Sequence, residues 1–196
     1  MAKRLFDIIF SLFGGIIFAP ILAVIAIIIK LDSKGSIFYR QRRVGKHNTE
    51  FKIYKFRTMH VNADKMGLLT LGDTDTRITK FGYVLRKYKL DELPQLINVF
   101  KGEMSFVGPR PEVRKYVNMY SKSDAEILNI KPGITDYASI KYRNEVELLK
   151  ASDNPEKLYI NEILPEKIRL NKIYIANHNI ITDIKIIIKT FIAIIF

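Results

Sequence analysis

The residues best suited to chemistry are Asp91 and Glu92, adjacent in the string Leu90-Asp91-Glu92-Leu93-Pro94-Gln95. Arg86, Lys87 and Lys89 precede them, and Arg110 follows between Pro109 and Pro111. An aspartate can attack phosphorus and form an acyl phosphate, provided that a divalent cation and guanidinium groups neutralise the phosphoryl oxygens. A neighbouring carboxylate is a suitable oxygen donor for Mg2+, which keeps several of its waters. The same pair has a plainer use, because acids at a helix start complement the helix dipole. Spacing alone does not choose between the two. His47, His60 and His178 lie far apart and form no metal or triad spacing. Neither a Walker loop nor a G-x-G-x-x-G turn is present, so phosphate binding falls to Arg, Lys and helix N-termini.

The flanking sequence shows how these residues are positioned. Leu93, Leu96, Ile97 and Phe100 recur at amphipathic-helix spacing. Pro94 suits the first turn of that helix and Gly102 its end, which places Asp91 and Glu92 just ahead of its N-terminus. Ser105 to Glu112 reads as a stiff loop, since each proline fixes its own φ and biases its predecessor toward extended backbone. Arg110 is thereby held between two rigid neighbours. Upstream, two bursts of aromatic and β-branched residues within 36–58 flank Val44-Gly45-Lys46-His47-Asn48 and predict a β-hairpin. Residues 61–79 read as a loop or short helix, 113–128 as helix, 131–133 as a turn and 145–172 as a charged helical region.

Apolar residues concentrate at the two ends of the chain. Ile8 to Ile29 is an uncharged run of 22 residues, which as a helix extends roughly 33 Å and matches a bilayer core. Basic residues flank it on both sides, Lys3 and Arg4 before and Lys30, Lys34, Arg40, Arg42 and Arg43 after, which places both flanks on the cytoplasmic side. Pro20 sits near the middle and disfavours a straight helix. Together these predict a re-entrant helix-break-helix that dips into one leaflet; a single kinked spanning helix is the alternative. Asn179 to Phe196 is Ile-rich but carries Asp183, Lys185 and Lys189, and predicts a helix lying in the interface rather than an ordinary buried C-terminal helix.

Composition bounds the answer. The chain has 196 residues, 48% of them hydrophobic, with 32 Lys or Arg against 20 Asp or Glu and no cysteine. This excludes disordered and collagen-like classes and removes disulfides, thiol nucleophiles and thiolate metal sites. A net charge of +12 points to an anionic partner: nucleic acid, acidic lipid or a phosphorylated substrate. The predicted fold is α+β and mostly helical, with a membrane anchor over 1–33, a cytosolic catalytic region over 34–178 and an interfacial helix over 179–196.

The string from Lys89 to Glu112, K-L-D-E-L-P-Q-L-I-N-V-F-K-G-E-M-S-F-V-G-P-R-P-E, closely resembles the signature of the bacterial sugar transferase family, the monotopic polyprenyl-phosphate phosphoglycosyl transferases. So do F-K-I-Y-K-F-R-T-M (Phe51 to Met59), F-G-x-x-L-R (Phe81 to Arg86) and K-P-G-I-T (Lys131 to Thr135). The resemblance implies transfer of a phospho-sugar from a UDP-sugar to polyprenyl (undecaprenyl) phosphate with release of UMP, starting glycoconjugate assembly at the cytoplasmic face of the bacterial inner membrane. It implies Asp91 as the nucleophile that carries the phospho-sugar, Glu92 assisting with Mg2+ and Arg110 binding phosphate between Pro109 and Pro111. Arg86 and Arg57 occupy positions of family basic residues near the site, and Ala19-Pro20 matches the family's break in the re-entrant helix. Many relatives continue after P-G-I-T with Gly, an aromatic residue and Ala-Gln, whereas this chain has Asp136-Tyr137-Ala138-Ser139, and its 145–172 segment is longer and more charged. Three rivals stand beside this reading: direct attack by the polyprenyl phosphate in a ternary complex, a non-catalytic membrane-surface adaptor, and a nucleic-acid binder, against which the apolar ends argue. The sequence is also compatible with a homodimer.

Overall fold

The computed structural model describes residues 2–63 and 75–195. Helix dominates, in keeping with the α+β, mostly helical expectation. Part of the loop expected over 61–79, namely 64–74, lies outside the described residues.

Helix α1 (Ala2–Asp32) stays helical across Ala19-Pro20, where the sequence predicts a break. A proline removes one hydrogen bond and bends a helix without having to end it. Both ends of α1 are tied to the folded body. Near the N-terminus, the Lys3 ammonium donates to the Val107 carbonyl and the Tyr174 hydroxyl, both at 3.1 Å, and to the Asp183 carboxylate. Arg4 donates to the carbonyls of Val99 and Phe100, each at 2.7 Å, and Asp7 accepts from the Ser105 hydroxyl and the Phe106 amide. At the far end, Arg57 donates to the carbonyls of Ser33 and Lys34, each at 2.7 Å, and so satisfies groups that a helix C-terminus leaves free. Ile25 and Ile29 pack there against Phe56 and Leu85. Between the two attachments, Ile9, Phe13, Ile16, Ile17, Val24 and Ile27 are each more than half exposed.

Strands β1 (Phe38–Val44) and β2 (Glu50–Phe56) form the predicted hairpin, with Phe38 opposite Phe56 and Val44 opposite Glu50. His47 and Asn48 both take positive φ in the connection. Thr79 caps α2 (Lys80–Lys87) through its hydroxyl, and a 3-10 segment, Leu90–Gln95, leads into α3 (Leu96–Lys101). The dyad therefore lies inside a helical turn rather than ahead of one, while Gly102 ends α3 in the left-handed region as expected. Asn98, fully buried, fastens α3 to β2: it accepts from the Tyr54 amide at 2.9 Å and donates to the Lys52 carbonyl at 2.8 Å.

Strand β3 (Ser105–Val107) is followed by the short α4 (Arg114–Val117) and a 3-10 segment, Asp124–Asn129. The single helix expected over 113–128 is thus broken. Ser121 explains the break, since its hydroxyl accepts from the Asp124 amide and donates to the Asp124 carboxylate, a local bond that competes with helix. Strand β4 (Gly133–Thr135) pairs in parallel with β3, where the sequence shows only a stiff loop and a turn. Gly133 is required there, because a Cβ would fall 2.2 Å from the Gly108 nitrogen.

The rest is helical: α5 (Tyr137–Lys141), α6 (Glu145–Lys150), α7 (Pro155–Leu158), a π-helical stretch over Tyr159–Ile163, α8 (Leu164–Asn177) and α9 (Ile180–Ile195). Tyr116, Ile127, Leu149, Tyr159, Leu164 and Ile168 form a core beneath them. Helix α9 buries Asp183 and Ile186 against this body and leaves Ile181, Ile188, Phe191 and Ile192 exposed.

Candidate active site

The turn that carries the dyad begins at Lys89, whose φ of 56° lies in the left-handed region, an uncommon conformation that surrounding structure must hold in place. Asp91 and Glu92 then face a cavity of about 1540 Å³, which Lys55, Arg57, Arg86, Arg110 and Asp136 also line. All the site residues expected from the sequence except the two prolines and the pair Ala19-Pro20 therefore border one space. The prolines hold the loop: the Pro109 carbonyl accepts from the Gly133 amide at 3.0 Å, and the Pro111 carbonyl accepts from Arg43 at 3.1 Å. Ala19 and Pro20 lie in α1, away from this site.

The two acids differ sharply. Glu92 accepts from the Lys55 ammonium at 2.7 Å and from both terminal nitrogens of Arg110, one of them at 3.2 Å. Burial by itself raises its pKa, but Arg110 and Lys55 outweigh that and hold the carboxyl well below the usual range. Asp91 is 7% exposed, and its carboxylate takes no hydrogen bond among the described residues. Burial pushes its pKa up, Lys55 opposes that, and the Glu92 charge adds to it. A buried carboxylate with few partners is poorly solvated, and so is a stronger nucleophile and base than one in water.

Arg110 is fixed at two points. Its guanidinium is held by Glu92, while its backbone amide donates to Asp136 at 3.0 Å. The other Asp136 oxygen caps α5 by accepting from the Ser139 amide at 2.6 Å. Arg86 and Lys89 both act electrostatically on Asp91. Arg57 is placed differently from a phosphate ligand: it lines the cavity, but its guanidinium donates to the Ile29 carbonyl in the last turn of α1 and to the Ser33 and Lys34 carbonyls just beyond it.

Lys55 was missed by the sequence reading. Its signal is alternation, because Phe51, Ile53 and Lys55 share one face of β2 and Ile53 is core, so Lys55 is a charge pointing inward. Asn98 carries no such signal, since its role depends on a strand distant in sequence.

Among the described residues no three His, Cys, Asp or Glu side chains converge on a metal site. Mg2+ commonly takes one or two protein carboxylates and completes its shell with water and substrate oxygens, and Asp91 and Glu92 are two adjacent carboxylates at the cavity. Asp91 is free to contribute an oxygen. Glu92 accepts two hydrogen bonds at one oxygen and one at the other, which leaves the latter a lone pair.

These environments predict opposite stability effects. Glu92, with its lowered pKa, contributes stability that is present above its unfolded pKa and is lost as pH falls through the depressed folded value. Glu92→Gln should destabilise the protein at pH 7 by about 3–5 kcal/mol and flatten the loss of stability below about pH 4.5. Asp91, with its raised pKa, is favourable to folding at low pH and opposes it once ionised, so Asp91→Asn should raise the thermal midpoint at pH 7. Thermal unfolding in detergent from pH 3 to pH 8 checks both signs.

The family model for bacterial sugar transferases matches residues 1–196. The chain is 36% identical over 191 residues to the UDP-N-acetylgalactosamine-undecaprenyl-phosphate N-acetylgalactosaminephosphotransferase of Aeromonas hydrophila, covering 96% of this chain and 42% of that protein. It is 36% identical to the uncharacterized sugar transferase EpsL of Bacillus subtilis, covering 96% of this chain and 84% of EpsL. The UDP-glucose:undecaprenyl-phosphate glucose-1-phosphate transferase of Xanthomonas campestris is 35% identical, with 97% of this chain and 38% of that protein covered. The chain thus spans less than half the length of the two transferases whose substrates are named. With a match over its whole length and the dyad, the arginine loop and the basic cavity wall assembled in one place, the chain belongs to the bacterial sugar transferase family.

Proposed function

We propose that this protein is a phosphoglycosyl transferase that moves a sugar-1-phosphate from a UDP-sugar to undecaprenyl phosphate in two displacements at Asp91. In the first, an Asp91 oxygen bonds to the sugar-linked phosphorus and the bond from that phosphorus to the bridging oxygen breaks, so UMP leaves with the electron pair. In the second, an oxygen of the lipid phosphate attacks the same phosphorus and releases the Asp91 carboxylate, giving the lipid diphosphate sugar. The observation that carries this reading is the asymmetry of the dyad: Glu92 is occupied by Lys55 and Arg110, while the Asp91 carboxylate beside them takes no hydrogen bond among the described residues.

Arg110 is preorganised to stabilise the charge that develops on the phosphoryl oxygens, and Arg86 and Lys89 add positive potential at Asp91. Mg2+, held by Asp91 and Glu92, would supply further neutralisation of the diphosphate. The Aeromonas and Xanthomonas relatives are both named as transferases from a UDP-sugar to undecaprenyl phosphate, and their sugars differ, which supports the reaction class and leaves the sugar open.

The membrane reading follows from the ties at both ends of α1. Lys3 and Arg4 at one end and Ser33 and Lys34 at the other are hydrogen-bonded to the same folded body, and that body carries the site for a cytosolic nucleotide-sugar. A spanning helix would carry one of these ends across the bilayer. Helix α1 therefore enters and leaves one leaflet, bent at Pro20, with its bare apolar face and that of α9 in lipid.

Isotope exchange tests the chemistry. With Mg2+, a UDP-sugar and labelled UMP, but no lipid acceptor, label should enter the UDP-sugar, and Asp91→Asn should abolish exchange by at least about a thousandfold. Transfer that requires the lipid and shows no exchange would mean direct attack. The topology has its own test, because the chain lacks cysteine. Ala2→Cys and Ser36→Cys should both react with an impermeant maleimide from the cytoplasmic side only; reaction from opposite sides would mean a spanning helix.

A further inference from the structure

The cavity that holds the dyad is also lined by a group of residues from α4 to α8, Tyr116, Tyr120, Tyr142, Tyr159, Ser139 and Asn171, called the chamber below. Its charged groups are already neutralised in place: Lys167 pairs with Glu145 at 2.5 Å, and Glu112 accepts from the Tyr159 hydroxyl at 2.6 Å while facing Arg43 at 3.7 Å. A phosphate has no unpaired cation to meet among these groups, so the chamber suits an uncharged part of a ligand.

Asn171 is the telling residue. It interrupts the buried stripe of α8, with Leu164 and Ile168 on one side and Tyr174 on the other. It is only 4% exposed, and its amide oxygen has no hydrogen-bond partner among the described residues. An unpartnered buried polar atom costs free energy unless something meets it. The Ser139 hydroxyl, on the α5 helix that packs against α8, is buried and unpartnered in the same way. Both border the cavity.

We propose that this chamber is the base-reading subsite of the transferase, in which Asn171 recognises the uracil of the UDP-sugar. The proposal rests on the UDP-sugar reading above and assigns a place to one part of that substrate. A carboxamide presents an acceptor and a donor side by side in one plane, which complements the imide edge of uracil: the Asn171 oxygen accepts from N3–H, and its nitrogen donates to the adjacent carbonyl. The half-buried rings of Tyr120 and Tyr142 provide stacking surface for a flat ring, backed by the buried pair Tyr116 and Tyr159, whose centroids lie 4.7 Å apart. One cavity is lined by Asn171, Arg110 and Asp91 alike, as a substrate in which a diphosphate links the uridine to the reacting sugar requires.

The test uses the full chain in detergent, with UMP and its N3-methyl analogue as probes and Asn171→Leu as the variant. Leucine keeps the branching at Cγ and continues the apolar stripe, so the helix should still pack, and a thermal midpoint no lower than that of the unsubstituted protein checks this. The unsubstituted protein should bind UMP about tenfold to a hundredfold more tightly than N3-methyl-UMP. Asn171→Leu should lose UMP affinity by a similar factor, erase that preference, and raise KM equally for every UDP-sugar used while leaving KM for the lipid phosphate unchanged. A purely structural role for Asn171 would not move the methyl preference. If the unsubstituted enzyme turns over UDP-sugars but Asn171→Leu leaves UMP binding intact, or changes only the choice among sugars, the assignment is overturned while the reaction stands. If the unsubstituted protein neither binds UMP nor turns over any UDP-sugar, the reaction and the assignment fall together.

Discussion

The site depends on one buried cluster of charge, in which the Glu92 carboxylate is held between Lys55 and Arg110. Burying any one of these charges alone would be costly, and together they offset one another. The cluster leaves Arg110 oriented by the protein before a substrate arrives, and it leaves Asp91 as the carboxylate without a hydrogen-bonded partner. Two acids adjacent in sequence thereby acquire different properties from their environment alone, one strongly acidic and held by two cations, the other with a raised pKa and an open carboxylate.

The rest of the fold can be understood as what brings three chain segments to that cluster. Asn98 locks α3 to β2 and so sets Lys55 against the dyad. The parallel pairing of β3 with β4, made possible by the close approach of Gly108 and Gly133, lays the arginine loop beside α5, where Asp136 holds the Arg110 amide. Helix α1 then lies across this assembly, fastened near its start by Lys3, Arg4 and Asp7 and at its end by Arg57. The apolar helix and the polar site are thus parts of one folded unit, which is what the proposed reaction between a nucleotide-sugar and a membrane lipid would require.

Much of this is legible in the sequence because it rests on local signals. The hairpin follows from aromatic and β-branched runs about a Gly/Asn connection, the end of α3 from Gly102, the rigid setting of Arg110 from its two prolines, and the apolar end segments from uncharged runs. What the sequence conceals depends on contacts between distant segments. The β3–β4 pairing joins strands of three residues each, too short for a periodic signal. The break after α4 comes from one serine bonding its own neighbourhood. Arg57 reads as another basic residue near the site, yet its guanidinium closes the end of α1. Lys55 and Asn98 declare their roles only once β2 has met the dyad and α3.

The central claim is that Asp91, and not its neighbour, becomes covalently bonded to phosphorus. The most direct measurement is mass spectrometry of the intact protein after incubation with Mg2+ and a panel of UDP-sugars without lipid acceptor, followed by fragmentation to locate any adduct. The account predicts a mass increase of one sugar phosphate, released by undecaprenyl phosphate and mapping to Asp91. An adduct on another residue, or steady turnover with lipid and a UDP-sugar that leaves the protein unmodified when lipid is withheld, would contradict it.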